Sequence, residues 1–149
     1  MAKLRAQIRI ERSADEVWAV IGDFGDLRWN PEVATLRLMG DVRTTTMVGQ
    51  PDVEIDEREV GRDDAARTYS YDLSAFRGNT VMALPGGHSF DLNALAGHLL
   101  ATITVKPEGP SACAVLYDLE MDEGHDATAP ATLANYQACI DGLKRRLEG

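Results

Sequence analysis

A chain of 149 residues, 44% hydrophobic and 26% charged, has the balance of one globular domain, large enough to bury a core without a disulfide or metal staple. Its 15 basic and 24 acidic residues leave a formal net charge of −9, which argues against nucleic acid and anionic membrane surfaces as partners, because both require cationic surface. Two distant cysteines (Cys113 and Cys139), no signal-like N-terminus and no apolar run near the ~18 residues of a membrane span lead to the expectation of a reduced, cytoplasmic protein.

Along the chain, Leu4, Ala6, Ile8 and Ile10 alternate with Lys3, Arg5, Gln7 and Arg9, the pattern of a half-buried strand. Ser13-Ala14-Asp15-Glu16 has the S-x-x-E form of a capping box, and Val17, Val20, Ile21 and Phe24 follow at helical spacing. A second short helical turn is expected around 26–29, before Pro31. Strand-like segments follow near 33–41, 43–49, 53–60, 67–74, 98–106 and 112–121, separated by turn signals at Gly40, Gly49, Gly61 and Pro107. A helix is expected from Ala127, with Leu133, Tyr136, Ile140, Leu143 and Leu147 as its apolar stripe. Sequential strands with short turns make an antiparallel sheet, whose apolar face the last helix must cover. The fold class is α+β.

Alternation also assigns faces. Glu57 shares a face with Val53 and Ile55, so it is either a carboxylate inside an apolar interior, where burial alone would raise its pKa, or it is solvated by fraying of the strand. Tyr69, Tyr71 and Leu73 share one face, as do Leu99, Ala101 and Ile103, and as do Val115, Tyr117 and Leu119. An apolar interior holding several phenols is either plain core or a ligand pocket. The segment 75–97, which includes Pro85-Gly86-Gly87-His88, has no sustained period and reads as a long loop, either a lid or a disordered insertion, within a single domain spanning 1–149. His88, His98 and His125 have no zinc spacing, and no phosphate-binding or dinucleotide-binding glycine loop occurs, so no metal and no cofactor are expected.

The run from Ser13 to Phe24, followed by Leu27-Arg28-Trp29-Asn30-Pro31, resembles the N-terminal signature of the START-like SRPBCC superfamily, and more closely its polyketide cyclase/dehydrase and lipid-transport branch. Val42-Arg43-Thr44, Glu57-Arg58, Tyr69-Ser70-Tyr71 and Ala101-Thr102-Ile103-Thr104-Val105 continue the resemblance over most of the chain outside 75–97. It implies a helix-grip fold: a curved seven-stranded antiparallel sheet around a long C-terminal helix, with two short helices after the first strand and a cavity between sheet and helix. By family position Asn30, Glu57, Tyr71, Leu73, Leu99, Ala101, Tyr117, Asn135 and Cys139 face that cavity. Related proteins often carry a His or a cation where Asn30 stands and an aromatic where Leu99 stands.

The resemblance implies a polyketide cyclase/aromatase- or dehydratase-like enzyme of bacterial secondary metabolism, acting without a cofactor on a hydrophobic, carbonyl-rich molecule. Glu57 would act as base and Tyr71 or Tyr117 as hydrogen-bond donor. Trp29, Asn30, Tyr69, Leu73, His88, Leu99, Ala101, Ile103, Asn135 and Cys139 would bind the substrate. The alternatives are a carrier or sensor of a hydrophobic molecule or lipid, and a modulator of a protein partner. Either a monomer or a homodimer is compatible with this reading.

Overall fold

A computed structural model describes residues 2–83, 89–122 and 129–149. The elements are β1 (Ala2–Ile10), α1 (Ala14–Ile21), β2 (Val33–Met39), β3 (Val42–Met47), β4 (Gln50–Asp63), β5 (Thr68–Gly78), β6 (Val81–Ala83), β7 (Ser89–Asp91), β8 (Leu99–Pro107), β9 (Cys113–Met121) and α2 (Ala129–Glu148). Seven strands form one antiparallel sheet in the order β1-β9-β8-β5-β4-β3-β2. The alternation that marks β5 as far as Leu73, β8 as far as Val105 and all of β9 becomes burial of every second residue on the inner face.

α1 starts at the expected cap: Ser13 Oγ accepts from the Glu16 amide at 3.1 Å. The helix lies over β8 and β9 and buries Val17 and Ile21 fully. α2 packs along β1 and buries Tyr136, Cys139, Ile140 and Leu143; full burial of an aliphatic side chain such as Ile140 or Leu143 is worth about 1.5–3 kcal/mol. Lys144 Nζ also donates to the Arg9 carbonyl at 2.6 Å, tying the end of α2 to the end of β1. Gly142 permits a close approach: a Cβ there would lie 2.3 Å from Pro31 Cγ, so the 29–31 loop rests directly on the helix.

Two expectations are corrected. The stretch 26–29 is not a second helix. Asp23, Asp26 and Asn30 each accept the amide two residues on, from Gly25 (2.9 Å), Arg28 (3.0 Å) and Glu32 (3.0 Å), and these side-chain turns outcompete helical bonding. Nor is 75–97 simply a loop. β5 continues to Gly78, β6 pairs with β7, and a single 3-10 turn at Leu92–Leu95 follows, capped by Asp91. Register shifts between β4 and β5 flip the alternation after Leu73, so that Phe76 points inward. Gly78 ends β5 with φ 95°, where a Cβ would meet the Asp52 carbonyl oxygen at 1.8 Å. His88 and His125 lie outside the described residues.

Candidate functional site

The inner face of the sheet is covered unequally. α1 closes the end where Tyr69 pairs with Ile103, and Trp18 packs on Tyr69 with ring centroids 6.0 Å apart. Towards the other end, between the sheet and the N-terminal half of α2, a cavity of about 280 Å³ remains. That is near the lower limit of the roughly 300–1,000 Å³ common for small-molecule sites. Its walls are largely apolar: Leu27, Val33, Ile55, Leu73, Phe76, Leu95 and Leu99. Val48, Gln50, Leu92, Ala131 and Asn135 complete it, and the exposure of Val48, Ala131 and Asn135 marks its mouth.

Arg43, Glu57, Tyr71, Tyr117 and Tyr136 form one polar cluster in the lining, and Asn30, Glu32, Thr45 and Thr132 add further polar groups. Arg43 and Glu57 are directly opposed on β3 and β4. Arg43 Nε donates to Glu57 Oε1 at 2.8 Å, with side-chain exposures of 2% and 11%. The guanidinium also donates to the Phe24 carbonyl at 3.0 Å. It stands 4.1 Å from the Phe24 ring centroid and 4.6 Å from that of Tyr71. Burial works against the charge on Arg43, but the Glu57 carboxylate outweighs it and holds the guanidinium above its ordinary pKa. Glu57 is therefore buried, as one of the two readings of its strand had it, but it is not a lone desolvated acid: a buried cation neutralises it.

Tyr71 is the node of a phenol cluster. Its hydroxyl shares a hydrogen bond with Tyr117 and donates to Tyr136 at 3.5 Å. Tyr117 and Tyr136 meet edge to face with centroids 4.6 Å apart. Burial, the largest influence on all three, pushes their pKa values above the ordinary phenol value, so the cluster is neutral at physiological pH.

The cavity brings together Glu57, Tyr71, Tyr117, Asn30, Leu73, Leu99, Asn135 and Cys139 from the residues singled out in the sequence. Trp29, Tyr69, Ala101 and Ile103 are buried but do not line it. Tyr69 and Ile103 lie under α1, Ala101 backs Tyr71 across the β5–β8 pairing, and Trp29 is held by the turns at 26–30. Among the described residues, the buried hydroxyl of Tyr69 and the buried Nε1 of Trp29 meet no hydrogen-bond partner. Arg43 and Tyr136 were missed as site residues. The usable signal for Arg43 was its opposition to Glu57 across the β3–β4 hairpin. Tyr136 belongs to the apolar stripe of α2, and side-chain spacing alone does not separate a core position there from a cavity wall.

Residues 1–148 match the family described as polyketide cyclase / dehydrase and lipid transport. The chain belongs to this family. No curated protein matches it. Among solved structures, this polyketide cyclase/dehydrase-family chain is similar to an uncharacterized protein of Bacillus thuringiensis, with 22% identity, TM-score 0.75, and coverage of 99% of this chain and 100% of the other. A START superfamily protein of Mycobacterium smegmatis has 15% identity and TM-score 0.67, covering 98% and 97% of the two chains. Norcoclaurine synthase of Thalictrum flavum, solved in complex with dopamine and hydroxybenzaldehyde, has 19% identity and TM-score 0.63, covering 97% and 84%. The fold of this family member is thus START-like, as the resemblance of its sequence implied. No described helix is long and apolar enough to cross a membrane.

Proposed function

We propose that the chain is a cyclase- or dehydratase-like enzyme acting on a small, hydrophobic, carbonyl-bearing molecule held in the internal cavity. The observation that carries this reading is the placement of a buried Arg43–Glu57 pair and three neutral phenols in one cavity beside the apolar side chains of Leu27, Val33, Ile55, Leu73, Phe76, Leu95 and Leu99. Ring closure or dehydration of such a substrate removes a proton beside a carbonyl and develops negative charge on oxygen. In this reading Glu57 accepts the proton. The phenol cluster donates to the developing oxyanion, and Arg43 holds the carboxylate in place. The apolar walls exclude water and fold a flexible substrate toward its reactive conformer. The cavity volume favours a compact substrate of one or two rings over a long acyl chain.

A carrier or sensor is the second reading. Its support is the engagement of Arg43 by Glu57, the Phe24 carbonyl and two ring faces, which suits a fixed orienting group as well as a reacting one. The two are separated by exposing the protein to an organic extract of its host, then releasing the captured molecule from the native complex for mass analysis. A species lighter by one water, or an isomer absent from the extract, supports the enzyme. Recovery of an unchanged extract component supports the carrier. Glu57→Gln is expected to abolish most conversion while still capturing the molecule, and undiminished conversion removes Glu57 from the mechanism.

A further inference from the structure

A hydroxyl carries one proton, and in the phenol cluster that limit fixes a direction. Tyr71 donates its proton to the oxygen of Tyr136. The bond between Tyr71 and Tyr117 must then be donated by Tyr117. Both of these hydroxyl protons are therefore spent inside the cluster. Among the described residues nothing accepts the proton of Tyr136, whose side chain lines the cavity on α2. Arg43 stands over the Tyr71 ring at 4.6 Å, and a cation at that face draws electron density from the phenol and strengthens it as a donor. Bonds in a chain polarise one another in the same sense, so each donor upstream sharpens the last.

We propose that Tyr136 is the residue that donates to the bound molecule, at the end of a one-way chain Tyr117→Tyr71→Tyr136, and that the cavity accordingly selects a ligand presenting an acceptor oxygen, such as a ketone, at that point. This rests on the cavity reading above and replaces Tyr71 and Tyr117 as direct donors: they position and polarise Tyr136. The cluster stays neutral because burial raises its phenols, so what it offers the ligand is a hydrogen bond and not a negative charge.

The test compares two probes of nearly the same shape, 2-acetonaphthone and 2-isopropenylnaphthalene, in wild type and Tyr136→Phe, by calorimetry or by displacement of a fluorescent dye. Comparing the change in each probe's affinity cancels the difference in their hydration. The variant is expected to weaken the ketone about 3–10-fold, the weight of one hydrogen bond, and to leave the hydrocarbon within about twofold. Equal changes for the two probes overturn the proposal and leave the cavity reading standing. Failure of wild type to bind either probe overturns both. A measurement on wild type alone guards against a variant that does not fold: the carbonyl stretch of bound 2-acetonaphthone should fall below its frequency in hexane, and a hexane-like frequency overturns the proposal. Tyr117→Phe should shift that stretch part of the way back without abolishing ketone binding, a response that loss of packing alone does not produce.

Discussion

Removing Arg43 tests the polar pair at the base of the cavity. Arg43→Met keeps most of the aliphatic volume but leaves the Glu57 carboxylate without its only hydrogen-bond partner among the described residues. Stranding a buried charge in this way costs about 3–5 kcal/mol. Two cation–π contacts, each worth about 0.5–2 kcal/mol, go with it. Against a total stability of about 5–15 kcal/mol this sum of about 4–9 kcal/mol is a large fraction, and for a chain of this size it lowers the melting temperature by about 8–36 °C. Glu57→Gln should be milder, about 1–3 kcal/mol, because the guanidinium keeps the Phe24 carbonyl and both ring faces. Arg43→Met/Glu57→Gln, which leaves no buried charge, should be more stable than Arg43→Met alone. Urea unfolding followed by tryptophan fluorescence and far-ultraviolet circular dichroism gives the four free energies of the cycle. Additivity within about 0.5 kcal/mol would mean that the two groups do not interact, and the reasoning about the pair would fall.

Three further outcomes follow from the packing and the charges. Gly142→Ala gains about 1 kcal/mol in helix propensity, yet its new methyl would lie 2.3 Å from the Pro31 ring, and the resulting overpacking should leave a net loss of about 1–2 kcal/mol in thermal unfolding; a more stable variant would show that the 29–31 loop yields freely. The hydrogen bonds of Arg77 to Asp56, at 2.5 and 2.8 Å, hold that carboxyl below its ordinary pKa. A depressed folded-state pKa adds stability that is present above the unfolded value of roughly 4 and is lost as pH falls below it, so Asp56→Asn should flatten the acid limb of the stability curve, and an unchanged limb in urea titrations from pH 5 to 2 counts against the assignment. Burial pushes the Cys139 thiol up to about 12, so iodoacetamide at pH 8 should label it slowly in the native protein and rapidly in urea; rapid native labelling would show that solvent reaches Sγ through the cavity.

The sheet was legible because its strands obey one rule over long stretches. Alternation in 98–106 and 112–121 survives as β8 and β9 with their faces as read, and the Ser13 capping box starts α1 as expected. Two places resisted for physical reasons. Around 26–29, short polar side chains close local turns at the spacing of a helical start, and which bonding pattern wins depends on the loop resting against α2. Past Leu73, the shift in β4–β5 register breaks the two-residue period, so a strand that continues to Gly78 looks in sequence like the beginning of a loop.

The candidate site shows what periodicity leaves undetermined. Alternation sorts side chains onto a face but says nothing of position along it. Tyr69 and Leu73 share the inner face of β5, yet Tyr69 lies beneath α1 and Leu73 lines the cavity. Ile103 and Leu99 repeat that division on β8, running the opposite way, so the cavity boundary crosses the sheet at the Tyr71–Ala101 pair. Tyr71 stands at this boundary and connects the two regions: its ring packs on Arg43 and Phe24, and its hydroxyl reaches Tyr117 and Tyr136. Register supplies what face assignment lacks. Once β3 and β4 are paired across the turn at Gly49, a cation at 43 falls opposite the carboxylate at 57, and that opposition is why Glu57 is tolerated inside an apolar wall.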